Sequence, residues 1–112
     1  MKLLTQELRK KLPPLYSQQK EADPQVICKF FHPLSSMTWY AIEGSPVDAD
    51  GYYDTDKEKV DYLFFGWVYS DFPELGYFSL NEMEHTEVGG LGIERDLHFK
   101  PMKLSEVKKL HQ

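Results

Sequence analysis

The stretch Val60 to Leu80, VDYLFFGWVYSDFPELGYFSL, constrains the fold more than any other part of the chain. It is the densest aromatic run in the sequence. Alternate residues put Val60, Tyr62, Phe64, Gly66 and Val68 on one side and Asp61, Leu63, Phe65, Trp67 and Tyr69 on the other. Both sides are mostly apolar and rich in β-branched and aromatic residues, the pattern of a strand covered on both faces. Gly66 in its middle, and the short run before the turn formers Ser70-Asp71-Phe72-Pro73, disfavour a buried helix. The reading is a central strand with the rest of the chain laid against it.

At 112 residues, 41% apolar and 28% charged, the chain is sized for one globular domain with a core of its own. The 14% aromatic share implies an aromatic core, an adhesive surface, or both. A single cysteine, Cys28, excludes an intramolecular disulfide and a cysteine-built metal site, and predicts the reducing cytoplasm. The leucines of MKLLTQELRKKL are interrupted by charges within a few residues, so neither a signal peptide nor a membrane span is expected. A net charge of −5 counts against nucleic acid as a partner.

Leu4, Leu8 and Leu12 make one apolar stripe on a short amphipathic helix that Thr5 or a neighbour starts and Pro13-Pro14 ends. Ser17 to Pro24 is polar loop. Val26 to His32 and Met37 to Glu43 read as strands of an antiparallel hairpin turning at Pro33 to Ser36. Gly44 to Lys59 then has no periodicity and reads as a long loop. From Glu43 to Asp61 there are seven acids (Glu43, Asp48, Asp50, Asp54, Asp56, Glu58, Asp61) against Lys57 and Lys59, a local balance of −5. After the aromatic run, Ser79 and Glu82 have capping-box spacing for a short helix. Val88 to Gly92 is a turn, and Ile93 to Phe99 alternates like a further strand. Leu104, Val107 and Leu110 suggest a final helix with Ser105 at its start. The expected class is α+β: one domain over residues 1–112, an antiparallel sheet of about four strands, short helices at the N- and C-terminal ends, and an acidic loop at 44–59.

The blocks LTQELRKKLPPLY, KFFHP, TWYAIEG, DYLFFGWV, ELGYFSLNEME and ERDLHFKP, in this order, resemble a small bacterial family, domain of unknown function 2958. The resemblance runs from about Leu3 to Val107. It implies a compact single-domain protein of the kind often carried on plasmids, phages and other mobile elements. It brings no catalytic residue and no agreed activity, and the acidic segment after Glu43 is longer here than is usual in the family.

Several constellations invite chemistry. Placing Asp48, Asp50 and Gly51 in an EF-hand register puts Pro46 and Lys57 where carboxylates must donate, so the EF-hand fails. A looser divalent site from Asp54, Asp56 and Glu58 competes with a plain solvated loop, which is the preferred reading. Asp48, Asp50, Asp54, Asp56 and Glu58 are carried forward as binding candidates, with no metal assigned. Glu94, Asp96 and His98, spaced by two, would share one face of a strand and could serve acid–base work, although strand alternation alone produces such a face. Arg95 falls on the apolar side of that strand and needs an acidic partner or marks a functional surface.

Other features carry less. Cys28 and His32 lie about 13 Å apart on one strand, too far for a dyad. His85 and His111 read as surface histidines. Gly90-Leu91-Gly92 lacks the third glycine and the strand context of a dinucleotide site, and no phosphate loop exists, so no cofactor is expected. Phe65-Gly66-Trp67-Val68 lacks the basic residue of an RNA-recognition signature. Two function classes remain. One is a protein-interaction or accessory module of a mobile element, with an anti-defence role included, that engages a protein partner through the acidic loop and aromatic surface. The other is a small enzyme, metal-dependent or not, built on Glu94, Asp96 and His98.

Overall fold

A computed structural model describes all residues, Met1–Gln112. It is α+β, with three short helices, one five-stranded antiparallel sheet and two two-stranded ribbons. Helix α1 (Gln6–Lys11) opens the chain, and the Thr5 hydroxyl caps it by accepting the Leu8 N–H at 3.2 Å. Strands β1 (Gln25–Val26), β2 (Cys28–Phe31), β3 (Thr38–Val47), β4 (Asp61–Tyr69) and β5 (Glu74–Ser79) follow. Helix α2 (Leu80–His85) starts where the Ser79 hydroxyl accepts the Glu82 N–H at 3.1 Å. Short strands β6 (Glu87–Val88), β7 (Leu91–Gly92), β8 (Glu94–Arg95) and β9 (Met102–Lys103) lead to helix α3 (Leu104–Lys109).

The main sheet runs in the order β5-β4-β3-β2-β8. The first half of the aromatic run is thus an interior strand, β4, hydrogen-bonded on both sides, and its second half forms the edge strand β5. The middle position belongs to the ten-residue β3. On one face, Tyr62 and Phe64 of β4 pack with Phe30, Phe78, Met83 and Ile93, closed by Leu3, Leu4 and Leu12 around α1. On the other face Tyr40, Ile42 and Trp67 pack with Val26 and with Leu104 and Val107 of α3. Coverage on both faces is what the two-sided apolar pattern of β4 requires.

Gly66 has a specific cause. A Cβ placed there would lie 1.8 Å from the Tyr40 carbonyl oxygen, far inside contact distance, so β3 and β4 approach as closely as they do only because the side chain is absent. At that crossing β3 carries an extra residue: Ala41 pairs with Gly66 and Glu43 with Phe65, leaving Ile42 as a bulge. The bulge inverts the facing of everything after it.

Three expectations change. The segment from Gly44 is not loop at once, since β3 continues to Val47 and pairs with Asp61; alternation alone could not reveal a strand passing through Gly44, Ser45 and Pro46. The Ile93 to Phe99 segment is strand only at Glu94–Arg95, the fifth strand of the sheet, and then turns. Ser105 does not cap α3, which begins at Leu104. Its N–H and hydroxyl both donate to the Asp23 carboxylate, at 2.9 and 2.6 Å, so an acid from a distant loop takes the capping role.

Candidate functional site

The bulge at Ile42 turns Glu43 onto the α3 face of the sheet, beyond the area that α3 covers. Glu43 is only 2% exposed. Its two carboxylate oxygens accept the backbone N–H groups of Tyr16 at 2.9 Å and Gln18 at 2.6 Å. Next to it, the Gly44 N–H donates to the Pro13 carbonyl at 2.9 Å and the Leu15 N–H to the Ser45 hydroxyl at 3.0 Å. The segment after Pro13-Pro14 is thereby fastened to β3 residue by residue. Charge-assisted bonds of this kind are the strong ones.

The fastening holds Tyr16 at a φ of 71°, a left-handed backbone conformation that costs a non-glycine residue about 1 kcal/mol or more. The Tyr16 ring then stands 5.7 Å from Tyr53 and 6.3 Å from Tyr77, which itself lies 5.0 Å from Phe65. Tyr16, Phe65 and Tyr77, with Gln18, Gln19 and Pro24, line a small cleft of about 50 Å³ that also reaches Ile42 and Glu43; Tyr53 stands outside it, against Tyr16. The tyrosine rings are not submerged: Tyr16 is 44% exposed, Tyr53 40% and Tyr77 52%. Burial first, and then hydrogen bonding with Tyr16, holds the Tyr77 phenol above its usual pKa. A contiguous aromatic surface thus lies over a buried carboxylate.

The acidic loop borders this surface through Tyr53. Asp48 is not one of its exposed charges. It is buried and accepts the N–H groups of Asp50 and Tyr52, at 2.9 and 3.0 Å, and the Thr55 hydroxyl at 2.5 Å. The Thr55 hydroxyl above all, then the Tyr52 N–H, keeps the Asp48 carboxyl below the usual aspartate pKa. Asp48 is therefore a turn-forming residue and leaves the list of binding candidates. Asp50 is exposed and pairs with Lys57 at 2.9 Å. Asp54, Asp56 and Glu58 are exposed, and no three His, Cys, Asp or Glu side chains converge to hold a metal ion. The looser cation site from Asp54, Asp56 and Glu58 is not assembled.

Glu94, Asp96 and His98 do not share a strand face, because only Glu94 lies in β8. They meet instead, with Lys29 and Phe31, on the rim of an open depression of about 350 Å³. Asp96 is already engaged: its carboxylate accepts the His98 N–H at 2.9 Å and pairs with Lys29 at 3.5 Å. Arg95 has no acidic partner. Its Nη1 donates to the carbonyls of Lys2 at 2.8 Å and Leu3 at 3.1 Å, tying the N-terminal segment to the sheet edge.

His32, His111 and Cys28 are structural in placement. His32 is buried; its Nδ1 accepts the Leu34 N–H at 3.1 Å, which assigns its proton to Nε2, 3.0 Å from the Leu91 carbonyl. His111 does not lie in polar surroundings: it stacks on Tyr69 at 3.8 Å and its Nε2 lies 2.6 Å from the Tyr40 hydroxyl. Cys28 is buried, which pushes its thiol up to about 12, far from a reactive thiolate.

A family model described as "Protein of unknown function (DUF2958)" matches residues 3–110. The chain belongs to this family. No curated protein and no solved structure matches it. The DUF2958 match takes in all three helices, both ribbons and the whole main sheet, so the aromatic surface and the Glu94–His98 rim both lie within the family's shared segment. No helix of this DUF2958 protein is long and apolar enough to cross a membrane.

Sequence reasoning did not single out Tyr16, Glu43, Phe65 or Tyr77 as a group. One local signal was present: Glu43 is the lone acid at the end of the strand TWYAIE, where a charge needs partners if the strand is buried. Chemically, the arrangement can clasp an apolar or aromatic group between tyrosines. It offers no activated nucleophile beside a base.

Proposed function

We propose that this protein is a protein-interaction module whose binding surface is the open cluster of Tyr16, Tyr53, Phe65 and Tyr77, bordered by the exposed acids Asp50, Asp54, Asp56 and Glu58. The cellular setting implied by the family resemblance is an accessory role, anti-defence included, on a mobile genetic element. One observation carries the reading. A buried carboxylate is used to hold Tyr16 in a left-handed conformation, and the result is a display of half-exposed rings rather than a core. Tyrosine supplies large contact area at low entropic cost, which is why it is enriched where proteins meet. Strain retained at an exposed site points to binding better than to stability.

The test is site-specific photocrosslinking in the native host, with benzoylphenylalanine in place of Tyr53, of Tyr77, or of His98. The reading expects one common partner captured from Tyr53 and Tyr77 and not from His98. Capture from His98 alone would overturn it.

A second reading has its own observation: Glu94, Asp96 and His98 border a depression. An enzyme there would need Asp96 freed from Lys29 and from the His98 N–H. Glu94→Gln together with His98→Asn should leave partner capture through Tyr53 intact; loss of the protein's biological effect with capture retained would favour the enzyme.

A further inference from the structure

The sign and the shape of the partner can be taken further, resting on the surface just described. Strand β5 is the edge of the main sheet next to the aromatic cluster, and its outer backbone groups have no strand partner. Exposed edges are normally blunted by lysine, proline, bulges or shortness. Strand β5, Glu-Leu-Gly-Tyr-Phe-Ser, has no lysine, no proline within it, and unbroken register with β4 over its six residues. Leu75 and Tyr77, half-exposed, face the same side as Trp67 and Phe65, their cross-strand partners. A Cβ at Gly76 would meet nothing within 4 Å, so a notch stands open between them, of the kind a neighbouring strand's aromatic side chain fills.

Exposed acids predominate around this edge. No lysine or arginine occurs between Val60 and Glu94, whereas Asp71 in the β4–β5 turn, Glu74 on the strand, and Glu82 and Glu84 on α2 are exposed. The nearest cations are Lys108, whose ammonium lies 5.8 Å from the ring of Trp67, and Arg9 and Lys59, which border a depression with Leu80 and Asn81 at the start of α2. A second copy of the chain could offer its own β5, which would set the same acids against one another, or its other sheet edge, β8. That edge is two residues long, and its Arg95 N–H is directed at the Met1 sulfur at 3.2 Å.

We infer that β5 receives an extended, basic peptide segment of a partner protein as a sixth strand, its apolar side chains set beside Leu75 and Tyr77 and its lysines or arginines among Asp71, Glu74, Glu82 and Glu84. Backbone pairing supplies the affinity and the alternate side chains the selectivity, as in other strand-addition complexes. Complementary charge accelerates encounter and makes it salt-sensitive.

The experiment uses the full-length chain, ¹⁵N-labelled, with a synthetic peptide alternating lysine with valine and tyrosine. Three controls accompany it: the same peptide with glutamate for lysine, one N-methylated at alternate backbone nitrogens, and the protein variant Leu75→Lys/Tyr77→Lys, its fold checked by circular dichroism. The inference expects amide exchange of β5 to slow roughly tenfold with the basic peptide, with neither control peptide and not in the variant. Equal protection by the acidic peptide overturns the charge argument. Binding that survives N-methylation, or that shifts only Tyr16, Tyr53 and Phe65, overturns strand addition while leaving the aromatic surface as a binding site. Protection that rises with protein concentration and needs no peptide makes the occupant a second copy and also overturns it. Strand addition with no crosslink from Tyr53 would instead sink the broader aromatic-surface reading alone.

Discussion

Two aromatic clusters lie on the same face of the main sheet and differ in what covers them. Tyr40, Trp67, Tyr69, Phe99 and His111 are closed over by α3 and the turn that follows it, with ring separations of 3.8 to 6.1 Å. Tyr16, Tyr53, Phe65 and Tyr77 are spaced almost as closely, at 5.0 to 6.3 Å, yet nothing in the chain lies over them. Similar chemistry on one sheet thus serves two ends. In the closed half, removal of ring area from water stabilises the fold. In the open half the same kind of area is left for something else, and a buried carboxylate holds it in place.

Substitution should separate the halves cleanly. Trp67→Ala removes the largest ring of the closed half, along with its contacts to Tyr40, Tyr69, His111 and the Lys108 ammonium. The expected loss is about 3–5 kcal/mol by urea unfolding. A loss below about 1 kcal/mol would mean that the closed half is no more a core than the open one.

Glu43→Ala is expected to rank second, at roughly 2–4 kcal/mol, because it strands the Tyr16 and Gln18 N–H groups without an acceptor. Its signature differs from that of Trp67→Ala. Amide exchange should quicken first at residues 15–19, and partner binding should fail even in the folded fraction. If exchange there is unchanged, Glu43 does not organise the open half.

How much of this was legible follows from the range of each interaction. The hairpin, the strand over Asp61–Tyr69, and the caps at Thr5 and Ser79 could be read because alternation and capping act within a few residues. Glu43 could not: its facing depends on the bulge, and the bulge faces Gly66 across the sheet. Parity counted along TWYAIE puts Glu43 with Ala41, on the wrong face. Arg95 was read as needing an acid or marking a functional surface, but a guanidinium is equally served by carbonyls, and those of Lys2 and Leu3 come from the other end of the sequence. Asp48 was more nearly legible. An aspartate two residues before Asp50-Gly51 is an Asx-turn pattern, and acid counting obscured it. The open rings escaped notice because exposure depends on where α3 ends, which no periodicity encodes.

Tyr53→Ser should sharpen the contrast from the other side. The ring packs on Tyr16 but is 40% exposed, so stability should change by about 0.5 kcal/mol or less, while partner affinity falls at least tenfold if the ring is an anchor, about 1.4 kcal/mol of binding free energy. An unfolding midpoint lowered as far as that of Trp67→Ala would erase the distinction between display and core.

The gentlest probe of the closed half is pH. Burial first, then the charge of Lys29, holds the His111 imidazole below its ordinary value of 6.5. The neutral ring stacks on Tyr69 and lies 2.6 Å from the Tyr40 hydroxyl, whose own pKa burial raises to about 12, so that hydroxyl donates and the imidazole accepts. With the folded pKa depressed, the unfolded chain binds the extra proton first. The contribution of His111 is complete above 6.5 and lost as pH falls through the folded value. Asp48, depressed from 3.8, loses its contribution in the same direction but in a separate, more acidic window. Urea midpoints followed by tryptophan fluorescence should therefore decline in two steps on acidification. His111→Gln should flatten the upper step only, leaving the open half and its partner affinity unchanged across it. An upper step that persists in that variant would assign it to another group and remove His111 from the account of how the closed half is sealed.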